Sequence, residues 1–439
     1  MQRSRYLFPL LALLVFVLSG CGGAGADMGT GGGGGSTADS SGSGGSGGTG
    51  SGSSGTGGSG GSSGGSSGGT TATCSTTAAT VKTGNSGHPV LDNLQPGTWY
   101  EVSNSHLADS AVEPPLISQS LYDTIHGNIG VRALTDAWSG GAYDTSRRML
   151  LLWGGGHGDY GGNEVYGFDV ATMTWMNLTL PSSSPGGDIL PDGRPGARHT
   201  YSGLQYAPPP VDRMLAYGNY TFPHAGGSDR VFTFDPAGGD ACWSQLPSLP
   251  LGAQNGYSAY DTNTGTYYVH STHYLLSIKV AGVDPSQRKW KQLGTSLDWF
   301  RGGTLAIDTK RHKMVRIGNG HATIWDLDAS GTPRSDLQTT GDTEIEAQAE
   351  PGLVYDPKAD RMVAWAGGGN VYTLNMDTLK WTCHQPAGDN TVTPDARQNP
   401  SAEYDTGTFG RFRYMPAYDA FILVASANRN VYFYRLPNL

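Results

Sequence analysis

Two short stretches of this chain bring together side chains that could move protons and hold charge. Residues 153–165 read WGGGHGDYGGNEV, placing His157, Asp159, Tyr160 and Asn163 among six glycines. Residues 197–201 read ARHTY, placing Arg198, His199 and Tyr201 within four positions. Tyr257 and Arg301 follow at similar points later in the chain. A cation beside a histidine or tyrosine is the set that removes a proton α to a carboxylate. The cation neutralises the carboxylate and acidifies the proton; His or Tyr takes that proton, and another returns one to the leaving oxygen. Arg198 or Arg301 is the candidate cation, and His199, Tyr257 or His157 the candidate base and acid. Trp138, Tyr160, Phe222, Tyr257 and Phe300 offer flat surfaces to a ligand, and Asn163, His224, His321, Arg411 and Arg413 offer polar contacts. The competing reading gives these groups to the fold: the glycines as a structural turn, His157, Tyr160 and Asn163 as bonds to their own loop, and Arg198 and Arg301 as partners of carboxylates.

An internal repeat must position them. Each unit opens on small residues leading to Tyr-Asp or a relative, then a turn, a basic residue, an apolar strand ending in Gly, an alternating strand and, about ten residues on, a Trp. The first unit has Tyr143-Asp144, Arg148, the apolar 149–152, the glycine loop, 165–169 and Trp175. The second runs from Gln205-Tyr206 to Trp243, the third from Tyr260-Asp261 to Trp290, and the fourth from Ile307-Asp308 without a closing Trp. The fifth runs from Tyr355-Asp356 to Trp381. The sixth starts at Tyr418-Asp419 and ends at Leu439 with no outer strand, while 98–102 is an orphan Trp strand ahead of the first unit. Four short strands per unit with first-to-last closure predict an all-β, six-bladed propeller closed by pairing of the N-terminal and C-terminal strands.

The Gly-Gly, Tyr and Trp positions resemble the kelch motif over roughly residues 97–436, most closely in units one, two and five. Runs such as 136–144 (DAWSGGAYD) resemble bacterial kelch or galactose-oxidase-like proteins. In such a fold the loops between the second and third strands, and those leading into each blade, open on one face, and six of the eleven histidines fall there.

The N-terminal 21 residues combine Arg3 and Arg5 with an apolar stretch from Leu7 to Leu18, too short to span a membrane, and end in Leu-Ser-Gly-Cys. They read as a signal peptide and resemble a bacterial lipobox, which implies lipidation at Cys21. Gly22 after that cysteine implies sorting to the outer membrane of a Gram-negative cell envelope. Residues 22–73 are nearly all Gly, Ser and Thr, a disordered tether with a root-mean-square span of roughly 40 Å. Residues 74–439 form the propeller domain, expected as a monomer. The net charge of −9 argues against a nucleic-acid partner. Cys74, Cys242 and Cys383 allow one disulfide with one thiol left over, the pair being open.

Three functions fit the predicted face. One is cleavage of a uronate polysaccharide by β-elimination; some ulvan lyases are propellers with His, Tyr and Arg sets, and this site is similar in kind, although those have seven blades and no residue is carried over. Another is binding of a carbohydrate or extracellular polymer without turnover. The copper-radical oxidases of this fold, which crosslink a tyrosine to a cysteine, are a remoter model; any cofactor is unknown and a different metal stays open. A protein-interaction module is the alternative from another class.

Overall fold

The computed structural model describes residues 82 and 87–439, apart from 225, 239–241, 251–255, 271–273, 296–301 and 395–406. Six antiparallel sheets, each built on four strands, form a six-bladed β-propeller. From the innermost strand outward, blade one is Gly141–Asp144, Met149–Leu152, Tyr166–Asp169 and Thr174–Asn177. Blade two is Leu204–Ala207, Arg213–Tyr217, Val231–Phe234 and Trp243–Gln245. Blades three, four and five begin at Tyr257–Asp261, Thr304–Asp308 and Gly352–Asp356. Blade six takes Phe412–Met415, Ala420–Val424 and Val431–Tyr434 from the C-terminal end and its outer strand, Trp99–Val102, from the other.

That last pairing closes the ring: Trp99 lies opposite Tyr434 and Val102 opposite Val431. The orphan Trp strand is therefore the missing fourth strand. Its Trp99 is buried and donates through Nε1 to the Gly369 carbonyl of blade five at 2.7 Å, so the closing strand also fixes the neighbouring blade.

The second strand of blade one is apolar on both faces because each face meets a different neighbour. In Met149–Leu152, Leu150 and Leu152 pack with Ile422 and Val424 of blade six. Met149 and Leu151 pack with Leu204, Met214 and Ala216 of blade two. Each such side chain contributes about 1.5–3 kcal/mol on burial, spread around the ring.

The Tyr-Asp of the repeat has a local cause. Its carboxylate caps the turn into the second strand: Asp144 accepts from the backbone N–H of Ser146 and Arg147, Asp308 from Lys310 and Arg311, and Asp356 from Lys358 and Ala359. The residue after the capped turn adopts a left-handed φ in Arg148, His312 and Asp360. These turns form the lower rim, where Arg147 bridges Asp144 and Asp212 of the next blade, and Arg311 bridges Asp308, Asp360 and Asp377. His312 joins Asp261 across the same kind of interface.

Three further pieces shape the upper face. Helix Gln119–Ile125, capped by the Ser118 hydroxyl, and the short turn Ala133–Asp136 lie in the segment leading into blade one. A two-stranded ribbon pairs Arg198–His199 with Asn219–Thr221. Among the described residues no helix is long and apolar enough to cross a membrane.

Candidate functional site

The glycine loop and the Arg198–His199 ribbon meet on the upper face between blades one and two. Gly156 has a φ of +82°, and a Cβ there would collide with the Cα of Arg198, so the loop lies flat on the ribbon only with glycine at this point. A Cβ on Gly158 would collide with the His224 ring. The backbone completes the junction: His157 N–H donates to the Tyr220 carbonyl at 2.7 Å, and His224 N–H to the His157 carbonyl at 2.9 Å.

His199 is the centre of the arrangement. It is buried, and its Nε2 stands 3.0 Å from a carboxylate oxygen of Asp159, forty residues earlier in the chain. Since an ionised carboxylate only accepts, Nε2 carries the proton of that bond and Nδ1 of the neutral ring keeps a lone pair. Nδ1 has no hydrogen-bond partner among the described residues. Burial holds the His199 imidazole below its usual 6.5 despite the opposing pull of Asp159. The ring is therefore neutral at pH 7, the form a general base requires.

Aromatic rings surround it: Trp138 at 5.0 Å between centroids, His157 at 5.8 Å, Tyr220 at 5.9 Å and Tyr201 at 6.1 Å. His224 lies 5.1 Å from His157. His157 and His224 are exposed and Trp138 and Tyr220 half-buried, so the group opens to solvent. Towards the propeller axis Tyr201 contacts Tyr257 at 5.9 Å and Phe409 at 5.8 Å. Burial pushes the phenols of Tyr201 and Tyr257 well up, and the Glu350 carboxylate adds to both shifts. Each stays protonated as a donor at neutral pH.

Trp138, His157, Tyr201, Tyr220, His224, Glu350 and Phe409 all have left-handed φ, between +37° and +57°. Such a conformation in bulky non-glycine residues costs on the order of 1–3 kcal/mol each and persists only where the surrounding structure holds it. Here the left-handed residues outside the repeat's own hairpin turns concentrate on one face.

The expected site residues divide. His157, His199, Trp138 and His224 come together, with Tyr257 one ring further in through Tyr201. Phe222 stands behind the loop against Gly161, followed by the cis-linked Pro223. Tyr160 is buried and donates to Glu164, and Asn163 is buried with bonds to Ser182 and the Pro195 carbonyl, so both hold the loop. Arg198 points the opposite way from His199. It is fully buried, 2.9 Å from Asp188, donates to the Gly196 and Asp188 carbonyls and lies over the Phe232 ring. Arg411 is fully buried among the carbonyls of Ser139, Val424, Ala425, Thr135 and Gly407. Arg413 binds the Gly141 and Leu204 carbonyls. His321 is exposed at the start of the third strand of blade four. Arg301 and Phe300 lie outside the described residues, as does Cys21.

Asp159, Tyr201, Tyr220 and Glu350 complete the group. Tyr201 had a signal in the ARHTY run, whereas nothing local marks Tyr220 or Glu350. Among the described residues no three His, Cys, Asp or Glu side chains converge to hold a metal ion. Cys242 and Cys383 are both disulfide-bonded, which leaves neither thiol available for a tyrosine crosslink.

The fold and this face define a six-bladed propeller with a histidine- and tyrosine-lined upper mouth. No protein-family model matches the chain, and no curated protein matches its sequence.

Proposed function

We propose that the upper mouth binds a carbohydrate or similar extracellular polymer and that His199, oriented by Asp159, acts there as a general base. The observation that carries this reading is the neutral, carboxylate-oriented His199 set among half-exposed aromatic rings. Trp138 and Tyr220 give a sugar ring flat faces. His199 Nδ1 would take a proton from a bound ring, and a protonated Tyr201 or Tyr257 would return one to the leaving oxygen, the steps of a β-elimination. A uronate carboxylate would also need a cation; Arg198 is committed to Asp188, and the other candidate from the sequence, Arg301, lies outside the described residues. The kelch resemblance of the repeat agrees with a binding propeller. On this reading the protein is exported, anchored through lipid on Cys21 and held out from the outer membrane by its Gly/Ser tether.

The test is incubation of the purified protein with a panel of uronate polysaccharides while ultraviolet absorbance is followed for a new conjugated double bond. A rise that disappears in His199→Ala supports elimination. Binding of a polymer without any rise restricts the mouth to recognition. Neither binding nor a rise on any polymer overturns the carbohydrate reading and leaves a protein partner as the ligand.

A further inference from the structure

The lower half of the central channel holds a cavity of about 210 Å³, with Gln205, Leu305, Ile307, Tyr355, Arg413 and Tyr414 in its wall. Arg413 reaches into the channel from the inner strand of blade six. Its Nε donates to the carbonyls of Gly410 at 2.9 Å and Gly141 at 3.1 Å, and Nη2 to those of Gly141 and Leu204 at 2.8 Å. Nη1, which carries two hydrogens, has a single long contact of 3.4 Å to the Gln205 side-chain oxygen. At least one N–H of Nη1 therefore has no acceptor among the described residues.

Every partner of Arg413 is neutral. By contrast, Arg147 and Arg311 are each held by two or more carboxylates, and Arg198 by one. Burial pushes the Arg413 guanidinium down to about 10, which still leaves it charged at pH 7. Of the aspartates in the turns of the lower rim, Asp144, Asp261 and Asp308 are engaged by Arg147, His312 and Arg311, and the buried Asp356 caps its own turn; none bonds Arg413. Arg413 is only half-buried, its side chain partly open to the channel, and a cation so placed without a bonded carboxylate attracts an anion that can reach it. The cavity has the room, since a particle the size of a water occupies roughly 30 Å³.

We propose that the central channel binds a halide-sized monovalent anion at the Nη1 edge of Arg413. The ion would tie together blades six, one and two, whose backbones Arg413 already bridges, beneath the upper mouth. The site is independent of what that mouth binds.

Chloride-35 NMR of the full chain should show excess line broadening that saturates with chloride and is lost in Arg413→Gln. No broadening in the native protein, or the same broadening in a folded variant, overturns the proposal. Because the variant could fail to fold, native crystals soaked in bromide provide a second reading. An anomalous peak in the channel within hydrogen-bond reach of Arg413 Nη1 supports the site; peaks confined to the outer surface, or water alone in the channel, overturn it.

Discussion

At the lower rim, Arg147 is buried between Asp144 and Asp212, and Arg311 gathers three carboxylates. At the upper mouth, His199 meets one carboxylate, its second nitrogen has no described partner, and exposed histidines and half-buried rings stand beside it. The rim satisfies charge with charge across blade boundaries. The mouth keeps proton-transfer groups open, on a left-handed backbone that turns and capping do not explain. Polar residues at one end hold the ring together, while several of those at the other face solvent. Arg198 and His199 carry the same contrast within two adjacent residues, one buried against Asp188 and the other facing the mouth.

The comparison breaks most readily at Arg147. Arg147→Met leaves the fully buried Asp144 without its cation and should destabilise the fold by about 3–5 kcal/mol in urea denaturation. A loss below about 1 kcal/mol would mean that the rim does not hold the blades. If the proposed elimination takes place at the mouth, His199→Ala should lower it by at least about 100-fold, equivalent to about 2.7 kcal/mol of transition-state stabilisation. Its urea midpoint should fall much less than that of Arg147→Met. An unfolding loss as large as the rim variant's would assign His199 to packing.

Titration separates the two ends further. Burial keeps His199 and His270 below their usual 6.5, His270 further lowered by Arg316. Below 6.5 the unfolded chain takes up protons that these folded imidazoles refuse, so stability falls as pH drops, by up to about 1.4 kcal/mol per pH unit for each group. Asp212 and Asp360, held below 3.8 by Arg147 and Arg311, stabilise the fold throughout this range and lose that effect only as pH falls through their lower folded values. Urea midpoints measured between pH 7 and pH 5 should therefore decline, and His199→Gln and His270→Gln should each flatten the decline. An unchanged slope in both would remove the upper-face histidines from the balance. The smallest effect is expected for Lys358→Ala at the rim, whose pair with Asp419 is solvent-exposed: a change within about 0.5 kcal/mol.

Much of the fold was legible because the repeat is periodic. Tyr-Asp marks a capped turn, Met149–Leu152 a strand buried on both sides, and Trp99 the strand missing from the last blade; each follows from a few neighbouring residues. The candidate face was legible as a bias of histidines and aromatics towards one set of loops. Which of them meet was not. ARHTY does not say which of two adjacent side chains turns inward, because a strand alternates its faces and only the blade behind it fixes the register.

The sequence by itself determined the number of blades, their closure and the loops that share the upper face, since these depend on short-range pattern repeated along the chain. Tertiary structure alone decided that Asp159 orients His199 and that Tyr220 and Glu350 join the same mouth. It also decided that Arg198 and Arg411 are buried in the scaffold while Arg413 faces a channel. Those outcomes rest on distances between residues tens to hundreds of positions apart and on burial, which sets a side chain's charge state and partners only once the blades have closed.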